Sequence, residues 1–177
     1  YLKGMLLDVG CGSGEFIYKM QSRGWNVTGI DTDIKAVQLA INKGLNVKTG
    51  NLFDQNFKSE SFDAIVLSHF IEHVYDPKKI IIECMRLLKK GGKLVIATPN
   101  NKSLGHFVFR SNWRGLEPPR HINLFSISSL QNLVNQTGFK QISVFTIPRI
   151  SKDIFINSNQ IKSQRKIYNG FANSIQL

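Results

Sequence analysis

Three glycines near the amino terminus stand at alternate positions, directly after an apolar stretch that is typical of a strand. The segment Leu6–Phe16 runs from Leu-Leu-Asp-Val into Gly10, Gly12 and Gly14 and then into a helical pattern. Because glycine has no Cβ, such a backbone can adopt positive φ and approach a ligand closely. Glu15 stands where the dinucleotide motif Gly-x-Gly-x-x-Gly has its third glycine, which counts against NAD and FAD. The spacing therefore predicts a nucleotide-binding turn outside the dinucleotide class.

Two aspartates stand at the carboxyl ends of the first two predicted strands. Asp8 lies just before the glycines, and Asp31 closes the run Asn-Val-Thr-Gly-Ile, seventeen residues after Gly14. A carboxylate at the end of the second strand can accept hydrogen bonds from both hydroxyls of a ribose. The alternative for Asp31 is a helix N-cap, because a helical pattern begins near Asp33.

The order strand, Asp8, Gly10, Gly12, Gly14 resembles motif I of the class I S-adenosylmethionine-dependent methyltransferases. The resemblance implies that S-adenosylmethionine is the cofactor and that Asp8 anchors its methionine amino group, directly or through water. It also implies that the glycine backbone lies against the methionine and ribose portions. The residues expected to bind the cofactor are Asp8, Gly10, Cys11, Gly12, Gly14, Asp31, Thr32, Asn51, Leu52, Phe53, Ser68 and His69.

The third predicted strand leads into Gly50-Asn51, where this family often carries a Gly-Asp pair whose acid contacts the adenine amine. The amide oxygen of Asn51 can still accept a hydrogen bond from that amine. The backbone of Leu52 can contact the adenine ring, and Phe53 can pack on its face. The alternative is an ordinary turn, which a Gly-Asn pair favours.

The segment His69-Phe-Ile-Glu72-His73 follows the predicted fourth strand and matches the H-x-x-E-H pattern of zinc peptidases. That pattern needs a long helix, which Asp76-Pro77 interrupts. The phrase Glu-His-Val-x-Asp-Pro is instead similar to the methyltransferase family, as is the preceding Ser-Phe-Asp strand. We therefore expect no bound metal. The alternative is a divalent ion at Glu72 or His73, because the resembling ubiquinone-type O-methyltransferases carry acidic residues in this region, although a second carboxylate is missing here.

Residues 99–125, after the predicted fifth strand, combine aromatic side chains, paired prolines and a histidine, which predicts a pocket wall. In methyltransferases resembling those of ubiquinone biosynthesis, a Trp, a His and then Phe-Ser in this insertion face the acceptor. By this resemblance, the residues expected to contact the acceptor are Trp113, Arg120, His121 and Phe125.

A proton must leave the acceptor, and two histidines are candidate bases. His121 is our first choice, because imidazole titrates near neutrality and the residue lies in the insertion. His69, just past the fourth strand, is the second. The alternative for both is that the imidazole only forms hydrogen bonds, since a phenolic acceptor needs little base.

Strand-like and helix-like segments alternate along the chain, which indicates a parallel sheet covered on both faces. We predict a doubly wound, Rossmann-like α/β fold, mostly parallel with an antiparallel last strand, and a methyltransferase domain over residues 1–157 with a polar basic tail over 158–177. Because the chain opens on its first strand, we expect the amino-terminal cap of such domains to be missing from it. The predicted strands are 5–9, 26–30, 46–49, 62–68, 93–97 and 141–147, and the predicted helices are 14–22, 33–43, 77–89 and 126–137.

The amino-acid composition limits the cellular compartment and the binding partners that we expect. The 177 residues are 42% hydrophobic and contain no apolar run of membrane-spanning length. The two cysteines, Cys11 and Cys84, are too few for a disulfide framework, which favours a reducing, cytoplasmic compartment. The net charge of +11 is compatible with RNA, an anionic membrane surface or an acidic substrate. No RNA-binding signature accompanies it, so we expect no nucleic acid partner and at most weak contact with an anionic membrane.

The leading hypothesis is methyl transfer from S-adenosylmethionine to a small-molecule acceptor, on a hydroxyl oxygen of a quinone-, polyketide- or sugar-like compound. Two alternatives stay open. One is an RNA methyltransferase, indicated only by the charge, and the other is a binding module that holds the cofactor without catalysis. The oligomeric state is left open by the sequence.

Overall fold

The computed structural model describes residues 3–146 and 156–165. Within these residues one sheet contains five strands in the order β3-β2-β1-β4-β5, and every neighbouring pair is parallel. The order reverses between β1 and β4, where the carboxyl ends of parallel strands open a crevice for ligands. The strands are β1 (Met5–Val9), β2 (Asn26–Asp31), β3 (Val47–Thr49), β4 (Phe62–Ser68) and β5 (Leu88–Ala97).

The helices begin at residues that cap them. Asp33 accepts hydrogen bonds from two backbone N–H groups of α2, Asp76 accepts one from α3, and Ser126 forms a capping box on α5. The helices are α1 (Glu15–Gln21), α2 (Ile34–Asn42), α3 (Pro77–Leu87), α4 (Leu104–Phe109), α5 (Ile127–Asn135) and α6 (residues 156–165). None of the described helices has the length and hydropathy to cross a bilayer.

Two apolar clusters cover the two faces of the sheet. Successive residues of β1 point to opposite faces, so Leu7 packs with Ile65 and Ile81 while Leu6 packs with Ile17 and others on the far side. A strand buried on both faces has to be apolar at nearly every position, as the central strands are. The predicted doubly wound, Rossmann-like sheet is confirmed.

The predicted antiparallel last strand is wrong, because every strand of the described sheet is parallel and residues 141–146 are not in a strand. Ile142 and Val144 alternate with polar residues, and this period of two suggested a strand. A strand also needs the hydrogen-bonding edge of a neighbour, and residues 141–146 pair with none of the described strands. Residue 147 lies outside the described residues.

The boundary between α3 and β5 also differs from the prediction. The helix ends at Leu87 rather than near residue 89, since Leu88 already has extended backbone angles and pairs with Phe62 of β4. The ladder then shifts register before Ala64 pairs with Lys93, so the glycine pair at 91–92 lies in an irregular stretch of β5 and does not end the helix.

The insertion over residues 99–125 contains α4 and two single turns of 3₁₀ helix, Arg110–Asn112 and Arg114–Leu116. α6 packs on it: the fully buried Ser158 accepts a hydrogen bond from the Arg114 N–H at 2.9 Å. α6 crosses the predicted domain boundary at residue 157, which stays a prediction, and tail residues 166–177 lie outside the described part of the chain.

Candidate functional site

The glycine loop joins β1 to α1 at the crevice, and its three glycines have different roles. All three have positive φ: 79° at Gly10, 53° at Gly12 and 80° at Gly14. A Cβ on Gly10 would lie 2.7 Å from the ring of Phe70, and one on Gly14 would lie 2.3 Å from Leu45. A Cβ on Gly12 would meet no atom within 4 Å. Gly10 and Gly14 are therefore required by packing, whereas Gly12 borders open space that a ligand can use.

Asp31 holds the loop at this open point. Its Oδ2 accepts a hydrogen bond from the Gly12 N–H at 2.7 Å, and its Oδ1 accepts one from the Asp33 N–H at 2.9 Å. The residue that caps α2 is Asp33 and not Asp31, so the N-cap alternative does not account for this acid. Thr32, which follows it, is exposed. Among the three glycines of the loop, the Asp31 carboxylate thus lies beside the one whose outer side is open.

Asp8 is a buried acid. Only 3% of the residue is exposed, and within residues 3–146 and 156–165 no group donates a hydrogen bond to its carboxylate. Burial, with a smaller contribution from the charge of Asp31, raises the pKa of Asp8 to about 7. Such a carboxylate is costly unless a cation approaches it, which is what an ammonium group supplies. Cys11, between Gly10 and Gly12, is buried, and burial together with both acids raises its pKa to about 12, which disfavours the thiolate form that a nucleophile needs.

The predicted adenine side lies after β3. The Asn51 Oδ1 accepts hydrogen bonds from the Phe53 and Asp54 N–H groups, at 2.9 and 3.2 Å, and so closes a local turn. Leu52 is 2% exposed and packs into the core, which leaves only its backbone for a ligand. The Phe53 ring is half exposed. The adenine role of these residues stays a prediction.

The carboxyl end of β4 lies against the glycine loop through Phe70. Ser68 ends the strand, and His69 follows with an unusual positive φ of 52° while its N–H donates to the Ala97 carbonyl at 2.8 Å. Residues Ile71–His73 form one turn of 3₁₀ helix, not the long helix of a zinc peptidase. The His69 Nδ1 lies 3.4 Å from Oε1 of the buried Glu72. This pair was not foreseen, although both residues belong to the H-x-x-E-H pattern.

The predicted acceptor residues of the insertion are mostly packed. Trp113 is 4% exposed and stacks on the His106 ring with centroids 5.0 Å apart. Phe125 is buried in the larger apolar cluster. Arg120 is exposed and forms an ion pair of 2.7 Å with Glu117. None of these three borders the surface cavity of about 770 Å³ in the insertion, which is lined by Lys102, Phe107, Arg110 and neighbouring residues.

His121, the first candidate base, has partners on both ring nitrogens. Its Nδ1 lies 2.8 Å from the Gly115 carbonyl and its Nε2 lies 3.6 Å from the Glu117 carboxylate, with 5% of the side chain exposed. The His73 Nδ1 lies 2.9 Å from the Arg120 carbonyl, and the centroids of the His73 and His121 rings are 4.8 Å apart.

Glu72, His73 and His121 each offer one side-chain atom that could bind a metal ion, and these three atoms lie within 4.8 Å of one another. The expectation of no bound metal stays a prediction.

Comparisons with known proteins show which family this chain resembles. A family model described as a methyltransferase domain matches residues 2–144. An uncharacterised protein of Methanocaldococcus jannaschii is 28% identical over 141 residues, which cover 79% of this chain and 66% of that protein. The ubiquinone biosynthesis O-methyltransferase of Albidiferax ferrireducens is 37% identical over 103 residues, 54% of this chain. The chain spans 41% of the length of that relative.

A solved methyltransferase structure has a similar fold. A phosphoethanolamine N-methyltransferase of Haemonchus contortus, solved in complex with S-adenosylmethionine, superposes with a TM-score of 0.69 at 22% identity, covering 93% of this chain and 40% of that one. At 22% identity, this structural match is evidence for a shared fold and for nothing further. Since the family model spans residues 2–144, the chain belongs to the methyltransferase-domain family and is a class I S-adenosylmethionine-dependent methyltransferase domain.

Proposed function

We propose that this chain transfers a methyl group from S-adenosylmethionine to a hydroxyl oxygen of a small-molecule acceptor. The observation that carries the proposal is the open side of Gly12, which is bordered by the Asp31 carboxylate 2.7 Å from its N–H. Asp8 adds to it, because its buried carboxylate accepts no hydrogen bond from the part of the chain that the structure describes. The 37% identity to a ubiquinone biosynthesis O-methyltransferase supports oxygen as the acceptor atom.

The residues present fit the cofactor at both of its polar ends. Asp8 is ionised above a pH of about 7, and no cationic group of residues 3–146 and 156–165 pairs with it, which suits the methionine ammonium group. A carboxylate oxygen has two lone pairs, so Asp31 can keep its bonds to Gly12 and Asp33 and still accept from ribose hydroxyls. Gly12 leaves room for the ligand between them. When bound, S-adenosylmethionine supplies a methyl group that is already activated by the sulfonium.

The protein then has to hold the acceptor oxygen in line with that methyl group and receive its proton. The His69 segment after β4 is fixed against the glycine loop, because Phe70 packs where a Gly10 Cβ would be. The insertion is fixed to the same segment by two hydrogen bonds, from the Ile122 and Asn123 N–H groups to the Glu72 carbonyl, at 2.8 and 3.0 Å. The acceptor is therefore expected between the insertion and the carboxyl end of β4.

Replacing Asp31 with Ala tests the ribose contact. We expect the affinity for S-adenosylhomocysteine to fall about tenfold or more, on the order of 1.4 kcal/mol, because a charge-assisted bond is lost. Asp33→Ala is the matched control: it removes the cap of α2 and costs about 1 kcal/mol of stability, but leaves the affinity unchanged. Isothermal titration calorimetry checks both, and equal affinities of the two variants would count against the ribose role.

The acceptor class is tested by offering radiolabelled S-adenosylmethionine with a panel of catechols and hydroquinones, and separately with unfractionated RNA. Label transferred to a phenolic oxygen, identified by mass spectrometry, is the expected result. Label in RNA alone would replace the proposal with the nucleic acid alternative. Tight cofactor binding without transfer to any member of either set would instead favour the non-catalytic binding module.

A further inference from the structure

We propose that Glu72 is a positioning residue that orients His69, and that the His69 Nε2 receives the proton of the acceptor. The inference rests on the proposed function, because it names the base of the same reaction. Its geometric basis is the 3.4 Å contact between the His69 Nδ1 and Oε1 of a glutamate that is 1% exposed.

Glu72 is fixed on several sides, so its carboxylate has little freedom. The Thr98 hydroxyl donates to its Oε2 at 2.9 Å, just past the carboxyl end of β5. Its backbone carbonyl accepts from two N–H groups of the insertion. Its Oε1 is buried and accepts no hydrogen bond of normal geometry from the described residues, so the His69 imidazole is the group that can satisfy it. A buried carboxylate held this way defines which nitrogen of a neighbouring imidazole carries the proton.

His69 is placed to use that orientation. With Nδ1–H directed at Glu72, the neutral ring presents Nε2 as a proton acceptor. The side chain is 48% exposed at the carboxyl end of β4, next to the segment that packs on the glycine loop. The positive φ of 52° is strained for a histidine, and such strain is concentrated at functional positions.

The other three histidines of the chain, all within the described residues, are engaged differently. The Nδ1 atoms of His73, His106 and His121 each contact a backbone carbonyl, those of Arg120, Asn101 and Gly115. His106 is also stacked on Trp113, and the His121 Nε2 faces Glu117. Among the four histidines, only His69 is exposed and also has a buried carboxylate next to its Nδ1.

The charges around His69 support its assignment. Glu72 raises the pKa of the imidazole, burial works against the rise, and Glu117 adds a smaller contribution. Burial opposes ionisation of Glu72, but the contact with His69 and the hydrogen bonds from the backbone and Thr98 outweigh it and lower its pKa. In the transfer step, the acceptor oxygen bonds to the methyl carbon, and the carbon–sulfur bond breaks with its electron pair remaining on sulfur. The acceptor proton passes to Nε2, and Glu72 stabilises the resulting imidazolium.

The test is a pH titration of the His69 imidazole by NMR in the full chain, with and without S-adenosylhomocysteine, for wild type, Glu72→Gln and Thr98→Val. We expect Glu72→Gln to lower the pKa of His69 and Thr98→Val to leave it nearly unchanged, because only the first removes the charge. A merely structural Glu72 would give the same pKa of His69 in all three proteins, and that result overturns the proposal.

The kinetic arm uses 3,4-dihydroxybenzoate as acceptor and buffers containing EDTA. Activity falls on the acid side as His69 becomes protonated, so we expect Glu72→Gln to move this limb to lower pH and to reduce kcat by about tenfold to a hundredfold. The Kd for S-adenosylhomocysteine should stay within about twofold, since Glu72 is not a cofactor contact. An unshifted acid limb, or activity that depends on added Mg²⁺, overturns the role of His69. Failure of S-adenosylhomocysteine to bind wild type would instead contradict the proposed function.

Discussion

Replacing Asp8 with Asn is expected to stabilise the ligand-free protein at a pH of about 8 while weakening S-adenosylmethionine about tenfold to a hundredfold. The pKa of Asp8 is raised from 3.8 to about 7 by burial and by Asp31. The folded state therefore binds more protons than the unfolded state between these two values, and the free energy of unfolding falls as pH rises through this window. Above it, both states are ionised and the cost of the buried charge is complete.

The uncharged Asn removes that cost, so we expect a gain on the order of 2 kcal/mol at high pH and little gain near pH 4. Chemical denaturation at the two pH values measures it. Asp63→Asn is the control, because Asp63 pairs with Lys89 near the surface and its pKa is lowered, so its loss cannot stabilise the fold. A destabilised Asp8→Asn protein at high pH would show that the carboxylate already has a partner.

The affinity for the cofactor should also depend on the ionisation of Asp8. Since the ammonium group needs the ionised form of Asp8, the affinity of wild type should be about eightfold weaker at pH 6 than at pH 7.5. The Asn variant should lack this dependence, because it has nothing to ionise in that range. Calorimetry at the two pH values checks the difference between the two proteins.

Gly12→Ala is expected to weaken the cofactor about a hundredfold or more while leaving the fold intact. The new methyl group would occupy the open space beside Gly12, where the ligand has to approach the backbone. The positive φ of 53° adds strain of about 1 to 2 kcal/mol in the folded protein, which thermal denaturation would detect.

Gly44→Ala separates the two effects. Gly44 follows α2 with φ of 75°, and a Cβ there also meets no atom within 4 Å, so its backbone strain is matched without involvement of the crevice. We expect both variants to lose similar stability and only Gly12→Ala to lose affinity for S-adenosylhomocysteine. Equal affinities would mean that the ligand does not lie over Gly12.

The sequence predicted the central architecture well because the relevant signals are local. The glycines, the strand-end acids and the proline-initiated helix at Pro77 each depend on neighbours in sequence, and their positions are confirmed. The spacing did not predict which glycines are required by packing and which one borders open space, because this depends on Phe70 and Leu45, which are distant in sequence. The strand predicted from period-two alternation is not formed at residues 141–146, because pairing depends on a partner strand and not on pattern alone.

The acceptor side was harder to predict for a similar reason. The absence of side chains at Gly105 and Gly115 lets Trp113 pack into the insertion, and its predicted contact with the acceptor stays a prediction. The spacing of three residues between His69 and Glu72 is a sequence signal for their contact. The sequence did not predict that Glu72 is buried, because its burial depends on contacts with Thr98 and with the insertion.

The central claim is that the crevice at the glycine loop holds an adenosyl compound with a cationic amino acid end. The most direct test is calorimetric titration of the full chain with S-adenosylhomocysteine, with NAD titrated in parallel. We predict saturable, one-to-one binding of S-adenosylhomocysteine that Gly12→Ala weakens about a hundredfold or more, and no binding of NAD. Binding of NAD in place of S-adenosylhomocysteine, or an affinity for S-adenosylhomocysteine that Gly12→Ala leaves unchanged, would contradict the account.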